Sequence, residues 1–106
     1  MIGAGGASRA AVHWLRQQGA GRIMVVARRP DAAEALGSRL QVHGFAEARQ
    51  AFSSASLIIN ATPLGLHGAE AMPAALLDAI RGSRMSAAFD MVYRPLETPF
   101  LRAAQD

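Results

Sequence analysis

The residues Gly3-Ala4-Gly5-Gly6-Ala7-Ser8-Arg9-Ala10 have types and spacing suited to holding an anion. Gly3 lets the chain turn sharply off a strand, and Gly5, lacking a side chain, lets backbone N–H groups approach a phosphate closely. A helix starting there aims its unpaired N–H groups and positive dipole end at the same anion. Ser8 is small enough for close helix–strand packing and carries a hydroxyl within reach of a phosphate oxygen. Arg9 adds a cation. A turn of this kind seats the pyrophosphate of a dinucleotide. Glycine and alanine alone would read equally as a flexible tail, so the flanking elements decide between the two.

Those elements come in the required order. Residues 10–18 are mostly good helix formers with apolar Ala11, Trp14 and Leu15, and Gly19 supplies a stop. Residues 22–27, Arg-Ile-Met-Val-Val-Ala, read as a buried parallel strand. Only Met1 and Ile2 precede the turn, whereas a strand commonly has about five or six residues. The first strand therefore reads as truncated. Further on, a helix is expected over 32–40, a short strand over 41–45, a helix over 46–52 and a strand over 56–61. A helix over 73–80, a strand over 86–93 and a helix over 97–104 complete the chain. Strands alternating with helices predict an α/β fold: a doubly wound, Rossmann-type parallel sheet with helices on both faces, all in one domain over 1–106. Shortening a central strand leaves neighbouring edges poorly paired, which favours association with another chain.

The second chemical feature follows the strand at 22–27. A site for NAD usually has Asp or Glu there to accept from the ribose 2′-hydroxyl. This chain has Ala27-Arg28-Arg29, and the first acid is Asp31. A carboxylate repels a 2′-phosphate, whereas a guanidinium gives it paired, charge-assisted hydrogen bonds. The residues favour NADP.

Composition narrows the rest. Of 106 residues 51% are hydrophobic, so the chain should be globular. No apolar run approaches the roughly 18 residues needed to cross a membrane, and no secretory signal pattern is visible; a cytoplasmic location is expected. Cysteine is absent, which removes disulfides and thiolate metal sites. The formal charge is +3, and all the cationic side chains are arginine, scattered except for Arg28-Arg29, which argues against a nucleic-acid stripe. His13, His43 and His67 show no metal-ligand spacing, and no metal is expected.

Three segments together resemble the nucleotide domain of the shikimate dehydrogenases. They are the glycine turn Gly3 to Ala10, the run Ile59-Asn60-Ala61-Thr62-Pro63-Leu64-Gly65, and the run from Phe89 through Asp90, Met91, Val92 and Tyr93 to Leu101. The last is the most specific, with its Asp-x-Val-Tyr-x-Pro-Leu-x-Thr-Pro pattern. The resemblance implies NADPH-dependent reduction of 3-dehydroshikimate to shikimate. It implies that Gly3, Ala4, Gly5, Gly6 and Ala7 bind the pyrophosphate, with Ser8 and Arg9 beside them. Ala27-Arg28-Arg29 matches the family's Asn-Arg-Thr, with Arg28 on the 2′-phosphate and Ala27 replacing a polar residue. Asn60, Ala61, Thr62 and Pro63 would line the nicotinamide-side ribose, Met91 would pack against the nicotinamide, and Tyr93 would face the substrate.

The family's acid–base pair is a lysine and an aspartate in a separate substrate domain. This chain contains no lysine and no such domain, so no catalytic residue is assigned to it. The resemblance thus implies a nucleotide-binding core cut at both ends, acting on a small-molecule substrate within a longer enzyme, with a homo-oligomer left open as its assembly. A non-catalytic nucleotide-binding or regulatory module, and an NAD-dependent quinate or shikimate dehydrogenase, are the alternatives; a glutamyl-tRNA reductase domain leaves the stretch from Tyr93 to Pro99 unexplained.

Overall fold

The computed structural model describes residues 1–66, 68–91 and 98–106. Four short strands, β1 (Ile23–Ala27), β2 (Leu40–Gly44), β3 (Leu57–Asn60) and β4 (Ala87–Asp90), form two parallel pairs, β1 with β2 and β3 with β4. Ile2 bridges Val26 of β1 and Asn60 of β3, both in parallel sense. The order across the sheet is therefore β2, β1, the Met1–Ile2 stub, β3, β4, with Met1–Ile2 in the central place. The stub is fully hydrogen-bonded. The Met1 amino group donates to Met24 O at 2.8 Å, Val26 N–H to Met1 O at 2.8 Å, and Gly3 N–H to Val26 O at 2.8 Å. On the other side Ile2 N–H donates to Ile59 O at 2.8 Å and Ala61 N–H to Ile2 O at 2.9 Å.

Side chains alternate across this sheet. Ile2, Val26 and Ile58 face one core with α2 (Ala48–Phe52), α3 (Ala74–Arg81) and α4 (Pro99–Gln105). Met1, Val25, Ala27, Ile59 and Ala61 face a second core with α1 (Gly6–Gln17) and a 3-10 turn, Pro30–Leu36. Helical segments thus cover both faces, the doubly wound arrangement. Ile2, Ile58, Leu76 and Ile80 are fully buried, and burial of such a side chain contributes about 1.5–3 kcal/mol.

Helix ends follow local chemistry. Ala20 N–H bonds to Leu15 O and Gly19 N–H to Arg16 O, with Gly19 at φ +80°, so α1 closes on the left-handed glycine stop expected from the sequence. Thr98 caps α4, its Oγ1 accepting from Leu101 N–H at 3.2 Å ahead of Pro99.

Several expectations need correction. Helix α1 starts at Gly6, so the glycine turn already contains its first turn. The helix expected over 32–40 is the 3-10 segment Pro30–Leu36, and residue 40 belongs to β2. Seven residues between Arg29 and the positive-φ Gly37 are too few to propagate an α-helix. Trp14, expected on the buried stripe of α1, is 51% exposed. Strand β4 ends at Asp90, and the rest of the strand expected to reach residue 93 lies outside the described residues.

The buried Met1 amine carries a pH dependence in the 106-residue polypeptide. Burial lowers its pKa from 8.0 to about 6. Between those values the unfolded chain binds a proton that the folded chain does not, so stability rises with pH through this window and falls as pH drops through it. The expected loss from pH 8 to pH 6 is roughly 2–3 kcal/mol. Denaturant midpoints at the two pH values check this. An N-acetylated chain should lose this part of the dependence; identical profiles for both chains would show that the amine is not the source.

Candidate functional site

The C-terminal ends of the stub, β1 and β3 converge on one cleft of about 330 Å³, lined by Gly3, Ala4, Gly5, Ala27, Arg28, Arg29, Ala32, Phe45, Ala61, Thr62, Pro63, Leu64 and Glu70. This is where open parallel sheets bind ligands. Gly3 sits at φ +109°, and a Cβ there would lie 2.7 Å from Thr62 Cγ2 and 3.2 Å from Ala61 O. Only glycine allows the turn off the stub to pass this close to the loop after β3. Gly5 and Gly6 differ, because a Cβ on either would meet nothing within 4 Å. They leave open ground before the α1 N-terminus, where Gly5 is the N-cap and no side chain caps the helix. No acid occupies the first turn. The N–H groups and dipole end of α1 are therefore open to an anion.

Ser8 is fully buried, and its Oγ, close under Gly3, has no hydrogen-bond partner. Its side chain packs beneath the turn and does not present a hydroxyl to the cleft, contrary to the expected reach toward phosphate. Gly6, Ala7 and Arg9 are exposed on the first turn of α1, outside the lining itself.

Arg28 stands at the rim. Its Nη1 and Nη2 donate to Glu70 Oε2 and Oε1 at 3.1 and 3.0 Å, and its guanidinium lies 5.7 Å from the Phe45 ring centroid. Arg29 is exposed beside it, as the N-cap of the 3-10 turn. Across the cleft, Asn60 is fully buried at the end of β3. Its Oδ1 accepts from Thr62 N–H at 3.1 Å and Thr62 Oγ1 at 2.7 Å, and its Nδ2 donates to Asp90 Oδ1 at 3.2 Å. Thr62 Oγ1 in turn accepts from Leu64 N–H at 3.2 Å, and Thr98 Oγ1 donates to Asp90 Oδ2 at 2.6 Å. Asn60 thus ties the ends of β3 and β4 together and fixes the loop that forms one wall.

The cleft brings together Gly3, Ala4, Gly5, Ala27, Arg28, Arg29, Ala61, Thr62 and Pro63 of the sequence-derived residues, with Asn60 beneath them. Met91 is elsewhere. Two residues past Phe89 it shares that face of the sheet, in a second, apolar groove of about 510 Å³ with Trp14 and Ile59. Tyr93 lies outside the described residues. Phe45 and Glu70 were missed. Neither follows from a motif, since Glu70 meets Arg28 across 42 positions of sequence. Among the described residues no cluster of His, Cys, Asp or Glu could hold a metal ion, and no helix is long and apolar enough to cross a membrane.

No protein-family model matches the chain. It is 39% identical over 110 residues to the shikimate dehydrogenase (NADP(+)) of Sinorhizobium medicae, a match that covers 100% of this chain and 37% of that protein. It is 40% identical over 109 residues to the enzyme of the same name from Brucella ovis, covering 99% of this chain and 38% of that one. Its relatives are shikimate dehydrogenases. The solved shikimate dehydrogenase of Thermotoga maritima superposes with a TM-score of 0.79 at 29% identity, over 98% of this chain and 39% of that one. The fold is thus the Rossmann-like α/β arrangement that this shikimate dehydrogenase also has. The match runs through essentially the whole chain. The chain spans less than two-fifths of the length of these shikimate dehydrogenases.

Proposed function

We propose that this chain is the NADP-binding part of a shikimate dehydrogenase, the oxidoreductase that reduces 3-dehydroshikimate to shikimate with NADPH. One observation carries the reading: the uncapped N-terminus of α1, the glycine turn and Arg28 all meet at the cleft on the C-terminal edge of the sheet. In this reading the first turn of α1 and the backbone of Gly3 to Ala7 hold the pyrophosphate. Arg28, with Arg29 beside it, holds the 2′-phosphate. Asn60 positions Ala61, Thr62 and Pro63 against the nicotinamide-side ribose, and Tyr93 serves the substrate; Met91, in the second groove, is given no role in this cleft. The cofactor supplies the hydride; the chain's own residues bind and orient it. The proton for the developing alkoxide needs a titratable donor, and arginine is a poor one because it stays protonated. With no lysine here, the acid–base groups are assigned to a separate substrate domain of a longer, cytoplasmic enzyme.

Calorimetric titration with NADP+ and NAD+ tests the reading. Saturable binding with preference for NADP+ is expected. Arg28→Ala should weaken NADP+ by about ten- to a hundred-fold, because hydrogen bonds to a charged group contribute about 1.5–3 kcal/mol, and should change NAD+ little. Equal losses for both nucleotides would remove Arg28 from the 2′-phosphate role. No binding of either by a folded chain would sink the reading. The absence of lysine also suits a second one, a nucleotide-binding module without turnover. That reading requires NADP+ binding with no dehydrogenase activity when the chain is joined to a substrate domain.

A further inference from the structure

We propose that Glu70 is an internal anion that occupies the phosphate-binding edge of Arg28 and thereby sets how strongly the cleft discriminates between phosphorylated and unphosphorylated riboses; this rests on the reading of the cleft as a nucleotide site. A guanidinium offers parallel N–H groups along an edge, and a carboxylate and a phosphate take that edge with the same paired geometry. In the structure both N–H groups go to the two oxygens of Glu70, at 3.0 and 3.1 Å. Arg28 Cζ lies over the Phe45 ring, 5.7 Å from its centroid, which gives the guanidinium a second contact beside Glu70. An incoming 2′-phosphate that takes this edge must therefore displace Glu70 and then tolerate its charge close by.

The place of Glu70 is built by the backbone. Gly65 N–H donates to Glu70 O at 2.9 Å, with Gly65 in the left-handed region at φ +90°. This bond ties the residue to the segment that follows Thr62 on the opposite wall. The pair is nevertheless displaceable. The Arg28 and Glu70 side chains are 54% and 62% exposed, and exposed ion pairs are weak. Glu70 is thus a competitor for the site, not a permanent plug. A carboxylate at this rim also has a second use, since it can accept from a free ribose 2′-hydroxyl, as acids in NAD sites do. The same side chain then penalises NADP and favours NAD.

The test compares the wild-type chain with Glu70→Gln, which keeps the shape and removes the charge, in titrations with NADP+ and NAD+ at fixed ionic strength. NADP+ is expected to bind Glu70→Gln about three- to ten-fold more tightly, the range of one exposed ion pair plus relieved repulsion. NAD+ is expected to bind unchanged or more weakly. Because the ion-pair share of the contribution passes through Arg28, the gain should shrink in an Arg28→Ala background. Equal NADP+ affinity for wild type and Glu70→Gln overturns the proposal while leaving the nucleotide site intact. A gain of undiminished size without Arg28 also overturns it. Failure of both folded chains to bind NADP+ overturns the nucleotide reading and this proposal with it.

Discussion

A Gly3→Val chain is expected to lose most of its folding stability and its nucleotide binding together. At φ +109° a branched side chain is strained, at a cost of about 1–3 kcal/mol. The added Cβ would lie 2.7 Å from Thr62 Cγ2 and 3.2 Å from a backbone oxygen, and overpacking of this kind costs about 1–3 kcal/mol more. The sum is large against the roughly 5–15 kcal/mol that holds a domain folded. The penalty falls on the turn that joins the central stub to α1, so relaxation there moves the helix N-terminus. Denaturant unfolding measures the first effect and titration with NADP+ the second. Gly5→Ala is the informative partner. Its Cβ meets no protein atom, so the chain should stay folded while NADP+ affinity falls through intrusion into the anion site. If Gly5→Ala binds normally, the open ground before α1 is not where the pyrophosphate lies.

Asn60→Leu has the next largest expected effect. The replacement is of similar size, so the change is mainly in polarity. It removes the acceptor of Thr62 N–H and Oγ1 and one donor to Asp90, all at a fully buried position. Leaving buried polar groups without partners costs about 1–3 kcal/mol each, so a loss of roughly 2–5 kcal/mol is expected. NADP+ binding by the chain that remains folded should also weaken, because the wall from Ala61 to Pro63 takes its shape from these bonds. A change in denaturation midpoint worth less than about 1 kcal/mol would show that water replaces the lost partners.

What the sequence made legible was local. Strands were visible because Ile23 to Ala27 and Leu57 to Asn60 are apolar runs bounded by turn residues, and the turn that opens the cleft because its glycines lie next to each other in the chain. The central place of Met1–Ile2 was legible because the glycine turn follows it directly. What escaped depends on direction and distance. Ser8 looked like a ligand contact because its type is polar, but helix periodicity turns it inward under Gly3. Met91 follows the sheet face of Phe89, and no motif states which face that is. The 3-10 turn at Pro30–Leu36 came from the interplay of Pro30 and Gly37 in a short interval, where helix-forming alanines misled. Glu70 had no signal at all. Its meeting with Arg28 depends on how two loops after different strands are brought together.

That dependence gives the Met1–Ile2 stub a larger role than its length suggests. Within the sheet it is the seam between two half-sheets, and five backbone hydrogen bonds from Met1, Ile2, Gly3, Val26 and Ala61 close it. The two walls of the cleft belong to opposite halves, Arg28 following β1 and Thr62 following β3. Parting of the seam is therefore a sub-global opening that also separates the walls. A ligand that grips both walls binds only the closed seam, so part of its affinity appears as cohesion between the halves, and loss of ligand returns the molecule to looser coupling.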